Sequence, residues 1–275
     1  FRDFEEAERA IAEALRIAPQ SDWLMSERAD VLRRADRVDE ARAWLESAWK
    51  RTAPWSRPVL WSLALLLNDL EDAEGALSLL NEGLTVVESG ALLQFKAAIE
   101  ADRGLLDEAL ASLARAREVM PLMDRTVKPG FLAQEAQLLL LRRDFDGIMR
   151  MAESDPSGFA ASLVPRLEKA GSGARRVRLS VRRIRQDYST CAPASFCALT
   201  AFWQRPVDHK ALSQQISYDG TPGHRERHWA ETHGWRVREF RVTWDAARLL
   251  IDRGLPFTLV TTGPENAHEQ VVVGY

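Results

Sequence analysis

The chain is poor in cysteine and tyrosine and contains no long apolar run. Its only cysteines are Cys191 and Cys197. Six residues apart on one helix, they would point about 240° from each other, which does not suit a disulfide. Two reduced thiols without a disulfide framework argue against a stapled secreted domain and favour the cytoplasm. The longest apolar candidate, Leu63 to Leu67, is five residues long, against the roughly 20 a membrane-spanning helix needs. No initiator methionine or signal peptide precedes the amphipathic stretch Phe1 to Gln20, as expected of a fragment.

At 275 residues and 46% hydrophobic content, the chain can bury a core in each of two domains. The net charge of −3 hides an asymmetry. Residues 1–173 carry 22 Lys and Arg against 30 Asp and Glu, and residues 174–275 carry 15 against 10. Six arginines lie between Arg175 and Arg185, but they are interleaved with Val177, Leu179 and Val181 as in a charged edge strand, so we read no nucleic-acid site there.

The front of the chain repeats. Glu5-Glu6-Ala7, Asp39-Glu40-Ala41, Glu74-Gly75-Ala76 and Asp107-Glu108-Ala109 place their alanines 34, 35 and 33 residues apart. Pro19, Pro54 and Pro121 follow three of these phrases by 12 or 13 residues and end a helix, since proline cannot continue one. A second helical stretch, such as Trp61 to Leu67, fills the rest of each period. Phe131 to Met151 reads as a fifth, degenerate hairpin.

This pattern resembles the tetratricopeptide repeat, in which a small residue opens the second helix and a proline closes it, as Ala41 with Pro54 and Ala109 with Pro121 do here. The expected front domain is therefore an all-α solenoid over 1–153. Hairpins of this kind bury their apolar faces only by stacking, leaving a concave surface suited to a partner's peptide. The competing expectation is that they only buttress the rest of the chain.

Residues 154–176 read as a connector with a short helix at Leu163 to Ala170, marked by Asp155-Pro156-Ser157-Gly158 and Gly171-Ser172-Gly173. The remainder, 177–275, reads as α+β. It has helices from Cys191 to Trp203, Asp208 to Ile216 and His224 to His233, and strands near 177–182, Trp235 to Val242, Pro256 to Thr262 and Gln270 to Tyr275.

Chemistry concentrates at Gln186-Asp187-Tyr188-Ser189-Thr190-Cys191-Ala192-Pro193. A cysteine opening a helix sits where free N–H groups and the helix dipole stabilise a thiolate, and Pro193 suits a helix starting there. Gln186 and the Cys191 N–H could form a two-donor oxyanion hole. His268, where a loop meets the strand Val271-Val272-Val273-Gly274-Tyr275, is the candidate base. Cys197, deeper in the helix, reads as core.

These residues resemble the papain-like cysteine peptidases that process bacteriocin leaders, often after a double glycine, over roughly 177–275. The resemblance implies a helix packed on an antiparallel sheet, with Gln186 as oxyanion donor, Cys191 as nucleophile and His268 as base, acting on a peptide or protein substrate. Two departures stand out. Ala192 replaces the family's usual glycine, and the chain stops at Tyr275 before the strand that carries the family's orienting Asp. The module is then truncated, or Asp187 or Asn266 substitutes, or it is a degenerate, non-catalytic scaffold. Amidase or acyl-transferase chemistry at the same site also stays open.

No cofactor is called for. His224 and His228 share a helical face, but neither they nor His233 has a convincing third partner, so we read a solvated helix ended by Gly234 rather than a metal site. Trp203, Trp229, Trp235 and Trp244 read as packing anchors.

Overall fold

A computed structural model describes residues 3–35, 37–52, 55–170, 175–186, 189–218, 220–263 and 267–275. It divides into two compact units, Phe1–Gly173 and Ala174–Tyr275.

The first unit is a succession of helices: α1 Phe4–Ile17, α2 Asp22–Arg34, α3 Val38–Thr52, α4 Arg57–Asp69, α5 Ala73–Gly83, α6 Gly90–Asp102, α7 Leu106–Val119, α8 Lys128–Arg142, α9 Phe145–Ser154 and α10 Phe159–Ala170. The recurring acidic phrase lies in the first turn of α1, α3, α5 and α7, where carboxylates face the positive end of the helix dipole. Its alanine is where two helices meet: Ala41, Ala76 and Ala109 are fully buried. Pro19 and Pro121 follow the ends of α1 and α7 as expected, whereas Pro54 lies outside the described residues.

The turn inside each hairpin closes in the same way. The Arg37, Asp72, Leu105 and Asp144 N–H groups donate to the carbonyls of Leu32, Leu67, Glu100 and Leu139, each at 2.9 Å. This is the six-to-one bond of a left-handed helix ending, and Glu71, Gly104 and Arg143 occupy its left-handed position with φ of 64°, 79° and 63°. Asp72 and Asp144 then cap the next helix through the N–H groups of Gly75 and Gly147.

Packing joins one hairpin to the next. In α4 the buried face Val59, Leu60, Leu63, Ala64, Leu66, Leu67 follows the helical period and shares one apolar core with Met25, Leu32, Leu45, Leu80 and Leu92. Ser56 caps α4 and donates its hydroxyl to Asp22 of α2 at 3.0 Å. A buried carboxylate in the α6–α7 hairpin is satisfied, Glu100 accepting from Ser112 Oγ at 2.7 Å and pairing with Lys96 at 3.2 Å.

The span read as a connector instead holds α10, a full 12 residues long. Ala160 and Leu163 of α10 share a core with Ala136, Leu139 and Ile148. Pro165 lies inside this helix, as it does inside the shorter helix expected at Leu163 to Ala170; the first turn was missed because it directly follows the turn residues Asp155-Pro156-Ser157-Gly158. The Gly171-Ser172-Gly173 part of the connector lies outside the described residues.

The second unit contains α11 Cys191–Phe202, α12 His209–Ile216, α13 Gly223–Thr232, α14 Trp244–Asp252, β1 Phe257–Thr262 and β2 Ala267–Val272. The strands form one antiparallel pair with Phe257 opposite Val272 and Thr262 opposite Ala267. Past β2, Val177 and Tyr275 exchange both backbone hydrogen bonds at 3.0 Å, and Leu179 N–H donates to Val273 at 2.7 Å. A Cβ on Gly274 would come within 2.4 Å of the Val177 carbonyl oxygen, so this approach requires glycine.

The larger antiparallel sheet that the sequence suggested is therefore corrected to a two-stranded ladder, with a short pairing of 177–179 beside its end. Trp235 to Val242 joins no ladder among the described residues. Trp235 and Val237 pack on the apolar core of Cys197, Leu212, Ile216, Trp229 and Ala230, and that burial produces the alternation without a partner strand. Helix α14 was not anticipated. Of the four tryptophans expected as anchors, Trp229 is buried, but Trp203 and Trp244 are 44% and 65% exposed.

Candidate functional site

Helix α11 begins at Cys191 and packs on β2. Thr190 precedes it and supplies no side-chain cap, so the first turn keeps N–H groups that a developing anion could use. Cys191 and Ser195 are one turn apart and face the same way; the Ser195 hydroxyl donates to the Glu269 carbonyl at 3.4 Å.

Gln186, Cys191 and His268 line one cavity of about 260 Å³, together with Ser195, Glu269 and Val271. Three residues separated by up to 82 positions are thereby brought to one place, Gln186 from the segment before the helix, Cys191 from its first turn and His268 from β2 opposite Thr261. Asp187 and Asn266, named as possible orienting groups, lie outside the described residues. Cys191 is half-buried, whereas Cys197 is 2% exposed and burial pushes its thiol up to about 11.

Sequence reasoning missed a carboxyl pair beside His268. Glu269 is 5% exposed, and burial raises its carboxyl above the usual range while hydrogen bonds from Thr258 and Glu226 and the nearness of His268 oppose the rise. Glu226, on α13, is pushed up to about 7, first by its own burial and then by the Glu269 charge. Only the adjacency of Glu269 to His268 was visible in the sequence. The contact with Glu226 joins positions 43 apart and needed the fold.

The histidines weighed as metal ligands are placed differently. His224 and His228 are exposed on α13. His233 stacks on Trp229 with ring centroids 4.3 Å apart, and its Nδ1 lies 2.8 Å from the Trp229 carbonyl oxygen. Among the described residues no group of three or more His, Cys, Asp or Glu could hold a metal, and no helix is long and apolar enough to cross a membrane.

The helical hairpins define the class of the first unit. Residues 2–63 match the family model of the tetratricopeptide repeat, and the front of the chain is a tetratricopeptide-type helical array. Among solved structures, a tetratricopeptide repeat protein from Parabacteroides merdae is 17% identical, with a TM-score of 0.46 and coverage of 92% of this chain and 86% of that one. MamA from Desulfovibrio magneticus is 14% identical, with a TM-score of 0.43 and coverage of 62% and 88%. YrrB, described as a TPR protein with an unusual peptide-binding site, is 16% identical, with a TM-score of 0.43 and coverage of 60% and 87%. Likenesses this loose place no site on the chain. None of the curated proteins matches it.

Proposed function

We propose that the helical array is a polypeptide-binding scaffold. The observation that carries this reading is the tandem of hairpins, matched to the tetratricopeptide repeat over residues 2–63 and continued through α9. Such stacks present an extended surface whose side chains are free to vary, because the small buried alanines and capped turns hold the fold. Peptides selected from a random phage library against the whole chain should protect amides within α2 to α10 from hydrogen exchange. Selection that yields no binders, or only peptides that protect 174–275, would refute the scaffold.

A second reading, thiol acyl-transfer chemistry, is favoured by the meeting of Gln186, Cys191 and His268 at one cavity. In a peptidase of this kind the Cys191 thiolate attacks a peptide carbonyl while Gln186 and the Cys191 N–H stabilise the oxyanion, and the His268 imidazolium protonates the leaving amine. Water then resolves the thioester. The half-buried Cys191 should be alkylated by a peptide chloromethyl ketone in preference to the buried Cys197. Labelling that persists undiminished in Cys191→Ala would rule the reading out, and the second unit would then be a degenerate peptidase-like module.

A further inference from the structure

We propose that the cavity formed by the end of α7, α8, α9 and the start of α10 binds an acidic segment of a partner polypeptide. Arg125, Lys128 and Arg150 read its carboxylates, and an apolar side chain seats against Leu132, Met151 and Phe159. This rests on the scaffold reading and narrows it to one place and one chemistry.

The cavity measures about 690 Å³, enough for several side chains, and lies wholly within the first unit. Its charge runs against its surroundings. Residues 1–173 carry an excess of acid, yet four cations and two carboxylates line this cavity. Both carboxylates are engaged, Glu135 with Arg117 and Asp155 with the Ser157 hydroxyl at 3.1 Å.

Several arginines elsewhere on the array are held by acids, as Arg34 is by Asp30, Arg42 by Glu46, Arg103 by Glu74 and Arg115 by Glu88 and Glu118, while Arg28 and Arg51 lie over the Trp44 ring. Among the described residues Arg125, Lys128 and Arg150 have no such partner and are exposed. Helix α8 adds to the positive potential, since Val127 supplies no side-chain cap and its first turn contains no acid.

An apolar floor accompanies the charge. Leu139 is buried, Leu132 and Met151 are half-buried, and Phe159 remains 40% exposed at the rim. A peptide that alternates acidic and bulky apolar residues satisfies both features. A nucleic acid satisfies only the first, because its phosphates can meet the cations while its backbone offers no aliphatic side chain to the floor.

The test is fluorescence anisotropy on the whole chain with a labelled probe, Gly-Glu-Leu-Glu-Asp-Phe-Glu-Gly. Controls are its Gln/Asn analogue, its Lys analogue and a twelve-nucleotide single-stranded DNA. The acidic probe alone should bind, and its affinity should fall about tenfold on reversing the three cations in R125E/K128E/R150E and less in R125Q/K128Q/R150Q. Unchanged far-ultraviolet circular dichroism checks that the variants fold. Equal binding of the neutral analogue, unchanged affinity in both variants, or competition by the oligonucleotide overturns the proposal. If selected peptides of other chemistry protect amides within α2 to α10 while the acidic probe fails, only this inference falls; if no peptide binds, the scaffold reading falls with it.

Discussion

The carboxyl pair Glu226 and Glu269 is a charge-sensitive feature of the second unit. Two acids brought together under partial burial resist joint ionisation, so the folded chain retains a proton near pH 7 that the unfolded chain has lost. Because Glu226 is raised from 4.5 to about 7, its contribution is fully present below about pH 4.5. It is lost as pH rises through the interval to about 7, where the unfolded state binds fewer protons. Urea midpoints followed by tryptophan fluorescence should therefore fall across this window more steeply in the native chain than in Glu226→Gln. Parallel pH profiles would show that the pair does not form. His268 neighbours this pair in sequence, so any activity of Cys191 should be compared between the native chain and the same variant.

Within the helical elements, the closing turns are where local geometry and sequence disagree. The same six-to-one bond recurs at four hairpins, yet of the described left-handed positions in this unit only Gly104 is glycine, Glu71 and Arg143 being the others. A Cβ on Gly104 would meet no atom within 4 Å, so Gly104→Ala isolates backbone strain from packing. Strain of about 1–2 kcal/mol for an L-residue in this region, less about 0.4–1 kcal/mol recovered from a stiffer unfolded chain, leaves a net loss of about 0.5–1 kcal/mol. Urea denaturation with an unchanged m-value checks it; a stabilised variant would contradict the turn geometry. The same comparison shows which parts of the structure could be read from sequence. The period of the acidic-alanine phrase reports buried contacts at Ala41, Ala76 and Ala109, and short-range patterns of that kind survive in one dimension. Cys191 and His268, which line one cavity, could be picked out as candidates because a helix start and a strand each carry local signatures. The strand expected at Trp235 to Val242 failed because alternation records burial and not the presence of a neighbour to hydrogen-bond. The first turn of α10 was missed because it starts at Phe159, directly after the turn residues Asp155-Pro156-Ser157-Gly158. The Glu226–Glu269 contact had no local signature at all.

At the scale of the whole array, stability should be graded rather than all-or-none, because each hairpin touches only its neighbours. Helix α1 has no buried residue, while α4 has six, all within the core that runs from Met25 to Ile99. Opening α1 exposes little apolar surface, whereas opening α4 breaks the packing of α2, α3 and α5 together. Hydrogen exchange followed by mass spectrometry should therefore find amides of α1 exchanging at least about a hundredfold faster than those of α4 under conditions where the chain is folded. Equal rates would mean that the unit opens only as a whole. The gradient also bears on binding. The cavity between α8 and α10 is built on a smaller core of Ala136, Leu139, Ile148, Ala160 and Leu163, so an acidic peptide seated there should slow exchange in α8 to α10 and leave α4 unchanged. That pattern separates a ligand held by the cavity from one spread along the array.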